Sequence, residues 1–239
     1  MLNKLKKMIY RDFNEEWRNQ WLTKTLTHLP DGIKILDAGA GQLKNKKLCS
    51  HLKYVSQDFG QYEGNGDGQG LHTGTWDTSN IDIICDITSI PEPDNSYDAI
   101  LCSEVLEHVP EPTLALKEFY RLLKPGGKLI LTAPFTSLVH FAPYHFCSGF
   151  SKYWYEHHLT KLGFKTEELT PNGDWFDFCH QEIARLGTVS KKYGEMLWPL
   201  AFLISLIGII FFKIRGQKPP KAFDLCCFGW HCLATKLER

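Results

Sequence analysis

A chain of 239 residues can form one α/β domain with a large core, or a smaller domain with an appendage. Its 27 basic and 27 acidic side chains cancel, so no global field draws it to nucleic acid. The eight cysteines are scattered, and the cluster CCFGWHC lacks a paired C-x-x-C framework, so no metal site is expected there. Reduced thiols and a cytoplasmic compartment fit this usage.

In chain order, the basic stretch NKLKKM at residues 3–8 reads as a solvated helix face or a weak contact for anionic lipid. No leader is expected, because the first thirty residues lack an apolar run. Trp17, Trp21, Leu22 and Leu26 recur at helical spacing and predict a lead-in helix over 10–29. Short apolar runs then alternate with helical patterns: IKILDA, YVSQD, IDIICD, YDAILCS and KLILTAP. That alternation predicts parallel strands joined by crossovers, a doubly wound sheet. The helical pattern TLALKEFYRLL closes on Pro125, Gly126 and Gly127, and SKYWYEHHLTKL closes on Gly163. The glycine-dense stretch 60–74 reads as a mobile lid or as simple disorder.

Residues 197–212, LWPLAFLISLIGIIFF, carry no charge, with Lys213 and Arg215 directly after. Sixteen helical residues span about 24 Å, short of the roughly 30 Å hydrocarbon core. The tail DLCCFGWHCLATK alternates like a strand that completes the same sheet, which a single crossing would leave on the wrong side of a bilayer. Membrane surface contact through Leu197 to Phe212 is therefore expected, on the inner face of the membrane, with a core helix or an oligomer contact as the alternative. The expected division is a lead-in at 1–30 and one domain over 31–239 with a helical insertion at about 175–222.

In a doubly wound sheet, ligands bind outside the carboxyl ends of the strands. Strand one ends in Asp37, Gly39 and Gly41, strand two in Asp58, strand three in Asp86 and Ile87, and strand four in Ser103 and Glu104. The two glycines admit a close ligand. Asp58 stands at the distance from Gly39 at which an acid receives ribose hydroxyls, and Asp86 with Ile87 suits an adenine edge and face. The stretch ILDAGAGQLKN lacks the third glycine of a dinucleotide loop, with Leu43 and Lys44 in its place. A nucleoside without a pyrophosphate relaxes that demand, and S-adenosylmethionine is such a ligand.

From about residue 33 to residue 170 the chain resembles class I S-adenosylmethionine-dependent methyltransferases, in particular the methyltransferase type 11 group. The matching segments are ILDAGAG, DIICDITSIPEPDNSYDAILCSEVLEHV and LLKPGGKLILTAP. The resemblance implies an α/β, Rossmann-like, seven-stranded sheet whose last strand is antiparallel. It implies S-adenosylmethionine held by Asp37, Gly39 and Gly41, by Asp58, by Asp86 with Ile87, and by Ser103, with Glu104 near the transferred methyl. The stretch after strand five is similar to a subgroup linked to surface-polysaccharide or glycolipid assembly, matched at His140, Pro143 and His145.

Methyl transfer to oxygen needs a base, and His140 or His145 suits that role, the alternative being a structural hydrogen bond. SEVLEHV also resembles the metal-binding E-x-x-E-H of certain metal-dependent enzymes, with Glu104, Glu107 and His108 on one helical side and His140 as a fourth ligand. The same string occurs without metal, and no metal is the expectation here. The acceptor expected is a small molecule, a saccharide or a lipid-linked precursor, methylated on oxygen. Nucleic acid is not expected, since the N/D-P-P-Y/F pattern is absent after strand four. The rival readings are a membrane-associated scaffold that kept the fold and an NAD-dependent dehydrogenase.

Overall fold

A computed structural model describes residues 13–62, 64, 66–68, 70–71, 76–216 and 219–238. The basic stretch at 3–8 and the first residues of the expected lead-in lie outside them. The chain divides into two compact units, one of Arg18–Thr170 with Gly229–Arg239, the other of the segment up to Trp17 with Pro171–Phe228. The division falls inside the lead-in helix.

The larger unit holds a seven-stranded sheet. Its strands are β1 (Lys34–Ala38), β2 (Lys53–Asp58), β3 (Ile83–Ile84), β4 (Tyr97–Ser103), β5 (Leu123–Pro134), β6 (Phe164–Asn172) and β7 (Gly229–Lys236), in the order β3-β2-β1-β4-β5-β7-β6. β1 pairs parallel with β2 and β4, β4 pairs parallel with β5, and β5 pairs antiparallel with β7. The doubly wound sheet with an antiparallel last strand is the one expected. Strand three is shorter than IDIICD suggests. Only Ile83 and Ile84 pair with β2, because Asp82 turns its carboxylate onto the amide and hydroxyl of Ser56.

Near-continuous apolar runs build the central strands because both faces are covered. Ile35, Leu36, Ala99, Ile100, Leu101, Ile130 and Leu131 are fully buried. Helix α1 (Phe13–Thr27) is mostly polar, yet Leu22 and Leu26 insert into the cluster of Ile35, Ala99, Leu101 and Ile130. Burying each such side chain stabilises by about 2 kcal/mol, enough to hold a helix whose outer faces are charged. Trp21 adds a hydrogen bond from its indole N–H to Glu168 and a stacked contact with His231. Helix α2 (Pro112–Leu122) begins with its proline at the first turn and runs directly into β5. Helix α3 (Lys152–Leu162) ends on Gly163 at φ +96°, a left-handed cap that donates to Leu159 and Thr160.

The smaller unit contains α4 (Trp175–Lys192) and α5 (Trp198–Arg215). Asp174 caps α4 through a reciprocal capping box with Asp177. The two helices pack closely through small residues. A Cβ on Gly187 would lie 2.7 Å from the Phe202 ring, one on Gly208 would lie 2.2 Å from Ile183, and the Gly187 N–H donates to Ser205 Oγ at 3.0 Å. Away from that seam, α5 presents exposed apolar side chains, among them Leu203, Ile207, Phe211 and Ile214.

Candidate active site at the strand ends

The strand order reverses between β1 and β4, so their carboxyl ends flank a crevice. The loop after β1 enters it through Gly39 (φ +78°) and Gly41 (φ +50°). A Cβ on Gly39 would lie 2.4 Å from the Val105 side chain, and one on Gly41 would lie 2.6 Å from the Trp76 ring. Both positions need glycine twice over, for the left-handed backbone and for space. Leu43 also sits at φ +57°, the conformation glycine adopts most readily. The backbone thus makes a left-handed turn at the missing third glycine without one. No α-helix follows the loop. A single 3-10 turn at Lys46–Cys49 leads to β2, so the helix terminus that cradles a pyrophosphate in dinucleotide sites has no counterpart here.

Asp58, at the end of β2, is almost fully buried and braces this loop. Its Oδ2 accepts from the Gly41 N–H at 2.9 Å and its Oδ1 from the Gly60 N–H at 3.0 Å. Each oxygen retains a second lone pair for a ligand hydroxyl. Gln57 accepts from the amides of Gly39 and Ala40 through its carbonyl, and its side chain donates to the Cys85 carbonyl, tying β1, β2 and β3 ends together. Asp86 is exposed and folds back on Thr88, while Ile87 beside it is buried. Asp37 stands apart from the others. It is buried, accepts from the Tyr54 hydroxyl at 2.6 Å, and burial pushes its carboxyl up to about 6.

At the end of β4, Ser103 shares a hydrogen bond with Thr132, and the Thr132 hydroxyl also meets Glu104 Oε1 at 3.0 Å. Glu104 lies at φ +56°, a strained position for a residue with a side chain. Arg18 from α1 closes on its other oxygen at 3.0 Å. The expected helical face of Glu104, Glu107 and His108 is therefore corrected. Only Leu106–His108 is helical, as a 3-10 turn, and the left-handed backbone at Glu104 sends its carboxylate to Arg18 and Thr132.

After β4, Glu107 is fully buried, and among the described residues neither of its carboxylate oxygens has a hydrogen-bond partner. Burial, and then the charge of Glu104, hold its carboxyl well above the usual range. His108, His140 and His145 converge beside it, each offering a nitrogen within 4.8 Å of the others. Burial, and after it the neighbouring His140, depress His108 to about 3 and lower His145. The backbone amides of Phe146 and Cys147 donate to the Glu107 carbonyl, which fastens the loop carrying His145 to the turn carrying His108.

An aromatic wall adjoins the histidines. Tyr62 stacks on Phe141 with ring centroids 4.3 Å apart, Trp76 meets Phe141 edge-on at 4.8 Å, and Phe59 meets Tyr144 at 4.9 Å. The described part of the glycine-dense stretch clasps the loop after β5. Leu71 pairs with His140, and Cβ atoms on Gly66 or Gly70 would strike the carbonyls of Ala142 and Val139. Those glycines permit backbone to lie against backbone. A cavity of about 590 Å³ opens elsewhere, near the amino ends of the strands between Lys24, Asp98, Lys124 and Glu168, away from these groups.

The strand ends thus bring together Gly39, Gly41, Asp58, Ser103 and Glu104 and, across the aromatic wall, His140 and His145. Sequence reading missed Arg18, Thr132, Tyr62 and Trp76. Arg18 sits in a polar helix with nothing to mark it, and Trp76 follows a stretch that reads as loop.

Comparison with known proteins adds the following. Residues 65–131 match the family model described as methyltransferase domain. Over 103 residues the chain is 38% identical to demethylmenaquinone methyltransferase of Renibacterium salmoninarum, covering 42% of this chain and 40% of that protein. Over 41 residues it is 56% identical to ubiquinone biosynthesis O-methyltransferase of Xanthomonas oryzae, covering 17% of each. The chain therefore spans well under half the length of these curated relatives. Among solved structures it is similar to the [4+2]-cyclase SpnF (18% identity, TM-score 0.55, covering 91% of this chain and 80% of that one). It is also similar to phosphoethanolamine N-methyltransferase 2 of Haemonchus contortus in complex with S-adenosyl-L-methionine (16% identity, TM-score 0.53, covering 93% and 52%).

Proposed function

We propose that this chain is a class I S-adenosylmethionine-dependent methyltransferase that methylates a hydroxyl of a small, lipid-soluble acceptor at a membrane face. The observation that carries the methyl-donor reading is the crevice itself. Gly39 and Gly41 turn the loop after β1 through left-handed backbone packed against Val105 and Trp76, and Asp58 and exposed Asp86 offer acceptors at two successive strand ends. These residues fit the donor: Asp58 would receive the ribose hydroxyls, and Asp86 with Ile87 the adenine. When bound, S-adenosylmethionine supplies an electrophilic methyl on sulfur. Gly39 and Gly41 bind through backbone, Glu104 is oriented by Arg18 and Thr132, and Trp76 and Tyr62 exclude water from the acceptor side. His140 or His145 would take up the proton that an acceptor hydroxyl releases.

Two observations support a lipid-soluble acceptor over a saccharide. The acceptor side is lined by Tyr62, Trp76, Phe141 and Tyr144, and the two curated relatives are named for ubiquinone and demethylmenaquinone. The smaller unit supports a membrane location. Helix α5 is apolar for most of its length, with basic and aromatic groups at both ends of the hairpin: Lys191 lies over Trp198 and Arg215 over Phe176. Incubating the full chain with methyl-labelled S-adenosylmethionine and separate lipid and aqueous extracts tests this reading. Label should enter the lipid fraction. Label in neither fraction would remove the enzymatic reading, and label in the aqueous fraction alone would remove the lipid-soluble acceptor. Flotation with anionic vesicles should carry the protein, and deletion of residues 197–212 should leave it at the bottom of the gradient.

A further inference from the structure

We propose that His108, His140 and His145, with Glu107, form a binding site for one divalent transition-metal ion of the zinc or iron type. The inference goes beyond methyl transfer, because it requires no methyl donor and can be tested without one.

The tautomers are set by carbonyls. A carbonyl only accepts, so His108 donates its Nδ1–H to the Tyr144 carbonyl at 2.5 Å and His140 donates its Nδ1–H to the Leu138 carbonyl at 2.9 Å. Each ring then presents a bare Nε2 lone pair on its other edge. Both Nε2 atoms point toward Glu107 Oε1, at 3.7 Å and 3.8 Å. The two imidazole lone pairs and Glu107 Oε1 thus face one another with no N–H among them. Among the described residues, Glu107 has no hydrogen-bond partner on either oxygen and His145 has none on either ring nitrogen, although all four atoms are buried. An unpaired buried carboxylate is costly, and native structures retain one where something positive completes it. Backbone carbonyls that fix the imidazole N–H are also the outer-shell arrangement metal-binding histidines use.

Three imidazole nitrogens and one carboxylate oxygen suit a borderline cation such as zinc or ferrous iron rather than magnesium or calcium, which favour all-oxygen sites. Bonds of about 2.0–2.1 Å in a tetrahedral set hold donors about 3.4 Å apart, so the histidines would close by roughly 1 Å. The loop after β5 carries two of the three and can make that movement. Glu104 is not part of the set, since Arg18 and Thr132 already occupy its oxygens. A cation here would lie on the acceptor side and take over from a histidine base by lowering the pKa of a bound hydroxyl.

The test uses the full chain, stripped with chelator, passed through desalting and titrated with cobalt(II) alone. Expected are one equivalent bound, visible absorption bands of a low-coordinate cobalt site, and a raised unfolding temperature. His145→Ala, His140→Ala and Glu107→Gln should each weaken binding by about tenfold or more. Zinc should displace the cobalt and bleach the bands. Circular dichroism and S-adenosylmethionine titration of the same variants report whether each is folded. Failure of cobalt and zinc to bind the folded wild-type chain would overturn the proposal. So would binding that the three variants leave unchanged, which would point to the buried Glu107 being neutralised by a proton alone. Because no methyl donor enters the metal titration, its failure leaves the methyltransferase reading standing, and the reverse holds.

Discussion

The two sides of the strand-end site spend their polar atoms differently. On the donor side, Asp58 satisfies two amides, Gln57 ties three strand ends, and Glu104 is held by Arg18 and Thr132. On the proposed acceptor side, the buried polar atoms of Glu107 and His145 have no hydrogen-bond partner among the described residues. A satisfied cradle is preorganised: its ligand meets groups that need not move. An unsatisfied cluster waits for a partner and holds its strain until one arrives. The difference locates binding precision on one side and chemical variability on the other, and each substitution below presses on one side of it.

The largest effect should come from Gly39→Val. It places a Cβ in a left-handed position and 2.4 Å from Val105, which together should cost about 3 kcal/mol or more and reduce S-adenosylmethionine affinity over a hundredfold. Calorimetric titration measures this, and retained affinity would mean the loop is not the cradle.

Asp37→Asn sharpens the comparison. The folded pKa of Asp37, about 6, stands above its ordinary 3.8, so the native chain binds the extra proton between those values. Stability from this group therefore falls as pH rises from about 4 to 6, and the cost is fully present at pH 7. The asparagine variant should be more stable by about 2 kcal/mol at pH 7, with the advantage gone near pH 4. Urea unfolding at the two pH values checks the sign. Asp177, also pushed up to about 6 by burial, contributes the same trend and remains in both chains.

Glu107→Gln supplies amide donors to the acceptor cluster and removes an unpaired carboxylate. In the metal-free chain it should raise the unfolding midpoint by about 2–4 °C, as roughly 1 kcal/mol does for a chain of this size. A lower midpoint would show that the carboxylate is better accommodated than its geometry implies. Leu43→Gly should do least. It relieves a left-handed leucine but frees the unfolded chain, so stability should change by less than about 1 kcal/mol with donor binding intact. Loss of binding there would give the leucine side chain a role that its half-buried position does not suggest.

Much of this arrangement was legible in the residues. Apolar runs ending in acids located β1, β2 and β4, and Gly163 marked the end of α3. The exceptions have physical causes. Leucine is unfavourable at positive φ, so nothing in ILDAGAGQLKN announces that Leu43 turns as glycine would. Pairing of Arg18 with Glu104 depends on Leu22 and Leu26 seating α1 against the sheet, a tertiary event that local pattern does not encode. SEVLEHV marks Glu107 as a candidate ligand beside Glu104 and His108, but its burial among His140 and His145 depends on the loop after β5, which local pattern does not place. Residues 197–212 were legible as apolar, and the hairpin seam of Gly187, Ser205 and Gly208 became visible only with both helices in place.

The fold alone does not fix the reaction, since a similar sheet carries the [4+2]-cyclase SpnF. The most direct measurement is calorimetric titration of the purified full chain with S-adenosylmethionine and, in parallel, with NADH. The account predicts one equivalent of S-adenosylmethionine bound, weakened at least tenfold by Asp58→Ala and by Asp86→Ala, and no heat from NADH. Absence of S-adenosylmethionine binding, or binding indifferent to both substitutions, would contradict it.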